Sequence, residues 1–141
     1  ANGGKMISPV LVRELRRGDR VEERFESRTL ASSICSRSAL REVQRCLELV
    51  CTEGTASLYF RDTARLRVAA KTGTAQTGGK VSNGVFVAFA PYDDPQIALA
   101  VVIEKGGSGG ALASTAVQIL NAYFTSVDEA KAVVGENMLI Q

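Results

Sequence analysis

The residues best suited to chemistry stand together near the middle of the chain, in the tetrapeptide Lys71-Thr72-Gly73-Thr74. In an extended strand, Thr72 and Thr74 point to the same face because side chains alternate with period two, and two hydroxyls can bind one carboxylate. Lys71 adds positive charge, and Gly73 has no side chain to keep a ligand backbone away. If the strand lies at a sheet edge, it can pair with an extended peptide, and one of its N–H groups can hold a developing oxyanion. The tetrapeptide therefore predicts one wall of a site for an anionic acyl substrate.

Two other interpretations of this stretch need weighing. A phosphate-binding loop requires G-x-x-x-x-G-K-[ST] between a strand and a helix. Alignment on Gly79-Lys80 puts Thr74 where the first glycine belongs and Val81 where the hydroxyl belongs, and a strand pattern follows. We reject that interpretation. A plain exposed edge strand stays open, because a three-residue match is common by chance.

Composition excludes several classes of function. The 141 residues are 45% hydrophobic and 23% charged, which fits one packed domain. A net charge of only +2 argues against a nucleic-acid partner. Histidine is absent, so Ser-His and Cys-His pairs and His-ligated metals are excluded. The longest apolar runs, Val85–Pro91 and Ile97–Ile103, are far shorter than the ~20 residues of a membrane-spanning helix.

The cysteines Cys35, Cys46 and Cys51 do not have the spacing of a zinc site, and their odd number cannot pair fully within the chain. Cys46 lies beside the apolar side of a predicted helix. We therefore expect Cys46 to be a buried thiol.

The first third of the chain predicts a charged hairpin and then a helix. We expect strands at Pro9–Leu15 and Arg20–Glu26 around a turn at Arg16–Asp19. The turn contains Arg-Gly-Asp, a tripeptide that adhesion receptors recognise, but a glycine-containing turn is the favoured interpretation. Apolar residues at helical spacing predict a helix from Ser38 to Thr52, capped by Ser36 or Ser38 and ended by Gly54: Leu40, Val43, Leu47 and Val50.

The remaining elements predict a sheet covered by helices. Thr55–Arg65 is irregular and predicts a loop. Asn83–Ala90 predicts a central strand, which we expect to form an antiparallel hairpin with Gln96–Glu104 through the turn Pro91–Pro95. Gln96–Glu104 alternates large and small residues, and a helix is expected against the small face (Ala98, Ala100, Val102). Lys105–Gly110 predicts a flexible connector, Ala111–Phe124 a helix, and Ser126-Val127-Asp128-Glu129 a capping box that opens a short helix ended by Gly135. The expected fold class is α+β, an antiparallel sheet flanked by helices.

Six stretches together resemble the penicillin-binding proteins, the serine DD-transpeptidases that cross-link peptidoglycan. The handful of residues around the tetrapeptide, "VAAKTGTAQ", is similar to the family's K-T-G strand, although the family usually has Gly at the position of Ala70. The other stretches occur in the family's order: "ANGGK" with "SPVLV", "LVCTEGTA", "NGVFVAFAP", "IALAVVIE" and "ASTAVQILNAYF". The resemblance covers about residues 1 to 126 and is nearest to the class B, monofunctional type.

The resemblance implies a fold and a role for each residue of the tetrapeptide. The fold would be the C-terminal portion of a penicillin-binding protein/β-lactamase-like transpeptidase fold. Lys71 would join the hydrogen-bond network that faces the nucleophile, and the backbone N–H of Thr74 would complete the oxyanion hole, so both are catalytic candidates. Thr72 and Thr74 would hold the carboxylate of a β-lactam or a terminal D-alanine, and Gly73 would leave the strand open to substrate. The lysine and the two hydroxyls are expected to border one groove.

Two motifs of that family are missing from the chain. No serine has Lys at +3, as S-x-x-K requires, and none has Asn at +2, as S-x-N requires. Residues 1–141 are therefore expected to be the C-terminal part of a transpeptidase domain, inactive alone, with the nucleophile upstream. We expect a charged hairpin region at 1–35, the helix, sheet and closing helix at 36–126, and a tail at 127–141.

The resemblance also implies partners, a location and a reaction without metal or cofactor for the parent protein. Its ligands would be a peptidoglycan stem peptide and β-lactams, and an N-terminal anchor outside this chain would hold it at the extracytoplasmic face of the bacterial membrane. An isolated fragment is expected to self-associate through exposed sheet or strand exchange. The alternatives are a non-catalytic binding or interaction domain of the same fold, or part of a carboxypeptidase, a β-lactamase or a β-lactam sensor. Adhesion through Arg17-Gly18-Asp19 is a remote third possibility.

Overall fold

The computed structural model describes residues 1–61 and 66–138, and the side chains of 1–61 and 66–128. The end of the predicted loop, 62–65, and the end of the predicted tail, 139–141, lie outside the described residues. The chain divides into two compact units, Ala1–Val43 and Gln44–Gln141. Each unit is described by itself.

The first unit contains two small antiparallel strand pairs. Strands β1 (Met6–Ile7) and β4 (Thr29–Ala31) form one pair, and β2 (Glu14–Arg17) and β3 (Arg20–Arg24) form a hairpin. The predicted charged hairpin is therefore confirmed, but its first strand begins at Glu14 rather than at Pro9. A proline lacks the N–H that a ladder needs, which disfavours pairing at the predicted start.

The Arg-Gly-Asp tripeptide lies at the hairpin turn. Arg17 pairs with Arg20, which leaves Gly18 and Asp19 as a two-residue loop. Gly18 has φ +61°, a conformation that glycine adopts without the steric cost of a side chain. The interpretation as a glycine-containing turn is confirmed.

The predicted helix is confirmed as α1 (Arg37–Thr52). The Ser36 hydroxyl accepts a hydrogen bond from the Ala39 N–H at 3.2 Å, which caps the start. The Gly54 N–H donates to the Leu49 carbonyl at 2.7 Å, which closes the last turn.

The buried cysteine of α1 is not the one expected. Cys46 is exposed, whereas Cys51 is only 5% exposed, so the prediction for Cys46 is wrong. Cys46 lies one helical turn after Val43, and that side of the helix is exposed, with Val43 itself 54% accessible. Sequence proximity to an apolar stripe does not place a side chain on it.

A short helix, α2 (Ser57–Phe60), replaces the first part of the loop expected at Thr55–Arg65. Its single turn is too short to produce a helical period in the sequence. Phe60 is buried, and its ring lies nearly parallel to that of Phe86, with 6.3 Å between centroids. The prediction of a loop is wrong for this turn.

Three antiparallel strands form the main sheet: β5 (Ala69–Ala75), β6 (Asn83–Ala90) and β7 (Ile97–Ile103), in the order β5-β6-β7. The prediction of a central strand at Asn83–Ala90 and of a β6–β7 hairpin is confirmed. Phe86 is fully buried in the middle of the sheet, where it lies opposite Thr72 on one side and Val101 on the other.

The core lies against the face of β7 that carries the large residues. The large residues Ile97, Leu99 and Val101 pack against the core, while Val102 on the small face is 61% exposed. The expectation of a helix on the small face is wrong. Close approach comes instead from the helix side, where Ala113 and Ala116 are fully buried, so the sheet can present larger side chains there.

The chain closes with a 3-10 turn (Gly109–Leu112) that leads into α3 (Ala113–Met138). The predicted break at Ser126 is wrong, since α3 continues through it and through Gly135. The Ser126 hydroxyl donates to the Tyr123 carbonyl within the helix, at 2.7 Å, instead of capping a new one. Within the described ranges, no helix combines the length and apolarity that crossing a bilayer requires.

Candidate functional site

The tetrapeptide Lys71-Thr72-Gly73-Thr74 is extended and lies on β5, at one edge of the sheet. The residues before it are buried: Val68 is 3% exposed, and Ala69 and Ala70 are 0% and 2%. Lys71 and Thr74 are exposed, and Thr72 and Gly73 are half-buried. Strand β5 is therefore anchored in the core at its start and reaches solvent where the polar residues begin. Among the described residues, no strand pairs with its outer edge.

The register of β5 on β6 separates the tetrapeptide into two faces. Thr72 lies opposite Phe86 and Thr74 opposite Gly84, which places both threonines on the face that carries the core. The period-two expectation of a shared face for the two hydroxyls is confirmed. Lys71 alternates with Thr72, so its side chain leaves the strand on the other face.

The Lys71 ammonium nevertheless returns to the backbone of the strand. It donates to the carbonyl of Thr72 at 2.6 Å. A carbonyl oxygen has two lone pairs, and this bond engages one of them.

A third hydroxyl lies beside the strand. The hydroxyl of Thr55, in the link between α1 and α2, is 3.3 Å from the hydroxyl of Thr72. Sequence reasoning did not select Thr55, because no spacing rule connects residues that are seventeen positions apart and meet only through the fold.

The glycine-rich segment after β7 also meets β5. The Gly109 N–H donates to the Thr74 hydroxyl at 3.5 Å, and the Ser108 hydroxyl accepts from Gly110 N–H at 3.2 Å to cap the 3-10 turn. Gly109 is buried. The prediction of a flexible connector is therefore wrong at Gly109, which packs on the sheet beside the tetrapeptide.

An arginine fixes the point at which β5 begins. Arg67 bonds Glu48 of α1 at 2.7 Å and bonds both carboxylate oxygens of Asp93, at 2.6 and 2.8 Å. Its guanidinium carbon lies 4.5 Å from the centre of the Tyr92 ring. The hydrogen bond to Glu48 raises the pKa of Arg67 further above its ordinary value. This contact set joins α1, the start of β5 and the β6–β7 turn.

The fold and the strand together define a class: an α+β protein with an antiparallel sheet whose edge strand carries a lysine and two threonines. The chain belongs to the penicillin-binding protein transpeptidase domain family, whose model matches residues 1–123. The fold class and the resemblance predicted from the sequence are both confirmed.

Individual relatives support the same assignment. The peptidoglycan D,D-transpeptidase MrdA of Escherichia coli K12 is 39% identical over 83 residues, which cover 48% of this chain and 13% of that protein. Penicillin-binding protein 2A of Bacillus subtilis is 35% identical over 119 residues, covering 73% of this chain and 16% of the relative. The D,D-transpeptidase domain of a peptidoglycan glycosyltransferase from Eggerthella lenta superposes with a TM-score of 0.68 at 27% identity, over 89% of this chain and 29% of that one. The chain thus spans less than a third of each of these relatives.

Proposed function

We propose that residues 1–141 form the C-terminal part of a D,D-transpeptidase domain that cross-links peptidoglycan through a serine acyl-enzyme. The observation that carries this proposal is β5, which presents Thr72 and Thr74 on one face of a strand whose outer edge has no strand partner among the described residues. An edge strand of this kind can hold an extended acyl-peptide by backbone pairing. Membership of the transpeptidase family supplies the reaction class.

The proposed reaction proceeds in two acyl transfers. A serine upstream of this chain bonds the carbonyl carbon of a D-alanyl-D-alanine stem peptide, and the C–N bond to the terminal D-alanine breaks. An acceptor amine then attacks the ester, and the serine leaves with its proton restored. No metal or cofactor is required for either step.

The residues of β5 would serve this reaction in distinct ways. The Thr74 N–H would stabilise the oxyanion of each tetrahedral intermediate. The hydroxyls of Thr72 and Thr74 would bind the carboxylate of the terminal D-alanine or of a β-lactam. Lys71 would contribute positive charge near the nucleophile, and Gly73 would let the substrate backbone approach.

The organisation of the whole protein forms part of the same proposal. The charged hairpin region (1–35), the sheet and helices (36–126) and the remaining segment (127–141) would complete a domain begun by upstream residues. An upstream anchor would hold that domain at the extracytoplasmic face of the membrane, where the stem peptides are. The chain by itself would not acylate, since it has neither S-x-x-K nor S-x-N.

Fluorescent-penicillin labelling of the longer protein that contains this chain tests the proposal. Wild type should be labelled. Thr74→Val should be labelled about 10- to 100-fold more slowly, because a hydrogen bond to a charged group contributes roughly 1.5–3 kcal/mol. Lys71→Ala should also be labelled at least about tenfold more slowly. Lys80→Ala is the matched control, since Lys80 is exposed and lies outside β5.

Each outcome separates the proposal from an alternative. Undiminished labelling of Lys71→Ala would refute the assigned role of the lysine. A folded wild type that takes no label would favour a non-catalytic binding domain. Rapid hydrolysis of the bound β-lactam would indicate a β-lactamase, and release of D-alanine without an acceptor amine would indicate a carboxypeptidase.

A further inference from the structure

The 3-10 turn approaches β5 more closely than any residue with a side chain would allow. A Cβ built on Gly109 would lie 2.7 Å from the Gly73 nitrogen and still closer to the carbonyl oxygens of Gly73 and Val85. A Cβ atom does not approach a non-bonded backbone nitrogen or oxygen within 3 Å, because the van der Waals repulsion is too steep. Only glycine therefore fits at position 109 with the turn where it lies.

A second glycine supports the same contact from the side of the sheet. A Cβ on Gly84 would lie 3.1 Å from Cδ1 and 3.3 Å from Cγ of Leu112, which is buried at the end of the 3-10 turn. Gly84 is the register partner of Thr74 on β6. Glycines on two elements thus let the turn lie directly over the row that contains Thr74.

The contact also orients the Thr74 hydroxyl. Gly109 N–H is a donor, so at 3.5 Å the Thr74 oxygen accepts from it. A hydroxyl carries one proton and two lone pairs. When one lone pair is engaged by Gly109, the hydroxyl proton remains available for an acceptor on the exposed side, such as a ligand carboxylate.

We propose that Gly109 is a positioning residue for Thr74. It lets the 3-10 turn support β5 at Gly73 and holds the Thr74 hydroxyl so that its proton points toward the bound carboxylate. This inference rests on the proposed function, because it assigns Gly109 a role in binding the acyl substrate. Gly109 itself touches no substrate in this arrangement.

The adjacent glycine provides a matched control. A Cβ on Gly110 would meet the Ser108 hydroxyl at 3.5 Å and the Thr55 carbonyl at 3.8 Å, both ordinary contacts. Neither Gly109 nor Gly110 has a positive φ, so alanine is compatible with the backbone at both positions. Gly109→Ala therefore forces the 3-10 turn away from β5, whereas Gly110→Ala does not.

The experiment measures the second-order rate of fluorescent-penicillin labelling in the longer protein that contains this chain. Gly109→Ala should lower the rate about 10- to 100-fold, the loss expected for a displacement of about 1 Å at a site. Gly110→Ala should stay within about twofold of wild type. A Gly109→Ala rate equal to the Gly110→Ala rate would overturn the proposal while leaving the proposed function intact. A folded wild type that takes no label would overturn both.

A double-mutant cycle with Thr74→Val distinguishes positioning from general loss of structure. If Gly109 acts through the Thr74 hydroxyl, Gly109→Ala should slow labelling by less than about threefold once Thr74 is valine. The full loss in both backgrounds would show that Gly109 is merely structural and would overturn the proposal. If Gly109→Ala does not fold, Leu112→Val applies the same test, since it loosens the turn over Gly84 without adding an atom at Gly109. An equal loss from Leu112→Val with and without the Thr74 hydroxyl would again overturn it.

Discussion

The thiol of Cys51 should be alkylated much more slowly in the folded protein than an ordinary thiol, because burial raises its pKa. Cys51 is 5% exposed at the end of α1, and burial, followed by the nearby carboxylate of Glu48, raises its pKa from 9.0 to about 12. The thiolate is the reactive form. At pH 8 its fraction falls from about 10⁻¹ at the ordinary pKa to about 10⁻⁴ at the raised one, a difference of about a thousandfold before steric protection is counted.

Iodoacetamide labelling at pH 8, read by peptide mass spectrometry, measures this factor. The exposed Cys35 serves as the internal reference, and unfolding in urea should bring the two rates together. Alkylation of Cys51 at the rate of Cys35 in the folded protein would refute the reasoning, because it would mean that α1 does not bury this thiol.

The same pKa gives a signed prediction for stability against pH. The thiol binds its proton more tightly when folded than when unfolded, so its contribution to stability is complete below pH 9 and is lost as pH rises from about 9 toward 12. Within that window, this thiol lowers the free energy of unfolding by about 1.4 kcal/mol per pH unit. Cys51→Ala should flatten the slope of the free energy of unfolding relative to wild type, whereas Cys35→Ala should not. Parallel curves for wild type and Cys51→Ala would contradict the raised pKa.

Three further predictions concern packing and self-association. Phe86→Ala should lower the free energy of unfolding, measured in urea, by about 3–5 kcal/mol, because Phe86 is fully buried. Val102→Ala should change it by less than about 0.5 kcal/mol, because Val102 is 61% exposed. Equal effects of the two substitutions would contradict the assignment of the two sheet faces. Gly84→Ala should destabilise the protein through contact with Leu112, and Leu112→Val should relieve part of that loss; additive thermal shifts would count against the contact. We also propose that the isolated chain self-associates through its exposed sheet surface. Val102→Lys should then reduce the sedimentation coefficient of the chain at high concentration. A wild-type chain that sediments as a monomer would refute this proposal.

The elements with the most repetitive patterns were predictable. Apolar residues on both faces indicated the central strand β6. The recurrence of apolar residues at helical spacing indicated α1, although one of them, Val43, is exposed: Leu40, Val43, Leu47 and Val50. The capping box at Ser126 gave a wrong prediction, because the Ser126 hydroxyl can donate to the carbonyl of Tyr123 within a helix as readily as it can cap a new helix. Local chemistry permits both outcomes, and the rest of the fold selects between them.

The candidate site was likewise predictable from the sequence only in part. A shared face for Thr72 and Thr74 follows from the period of a strand alone. The approach of Thr55 and of Gly109 to that strand does not, because both arrive from distant parts of the sequence. A glycine run reads as a linker when only its composition is considered, and the packing of Gly109 becomes visible only when the sheet beneath it is known.

The way β5 is fixed has a mechanical consequence. The strand is anchored at Arg67 and in the buried residues that end at Ala70, and its second half lies at the sheet edge, where it is paired with β6 on one side. Thr74 lies four residues beyond Ala70, about 13 Å at the usual rise of a strand. A tilt of about 5° at the root would swing Thr74 by roughly 1 Å, while Lys71 would barely shift. Because β5 is paired with β6 from Ala69 to Ala75, such a tilt would carry β6 with it, and the 3-10 turn that packs over Gly73 opposes the movement.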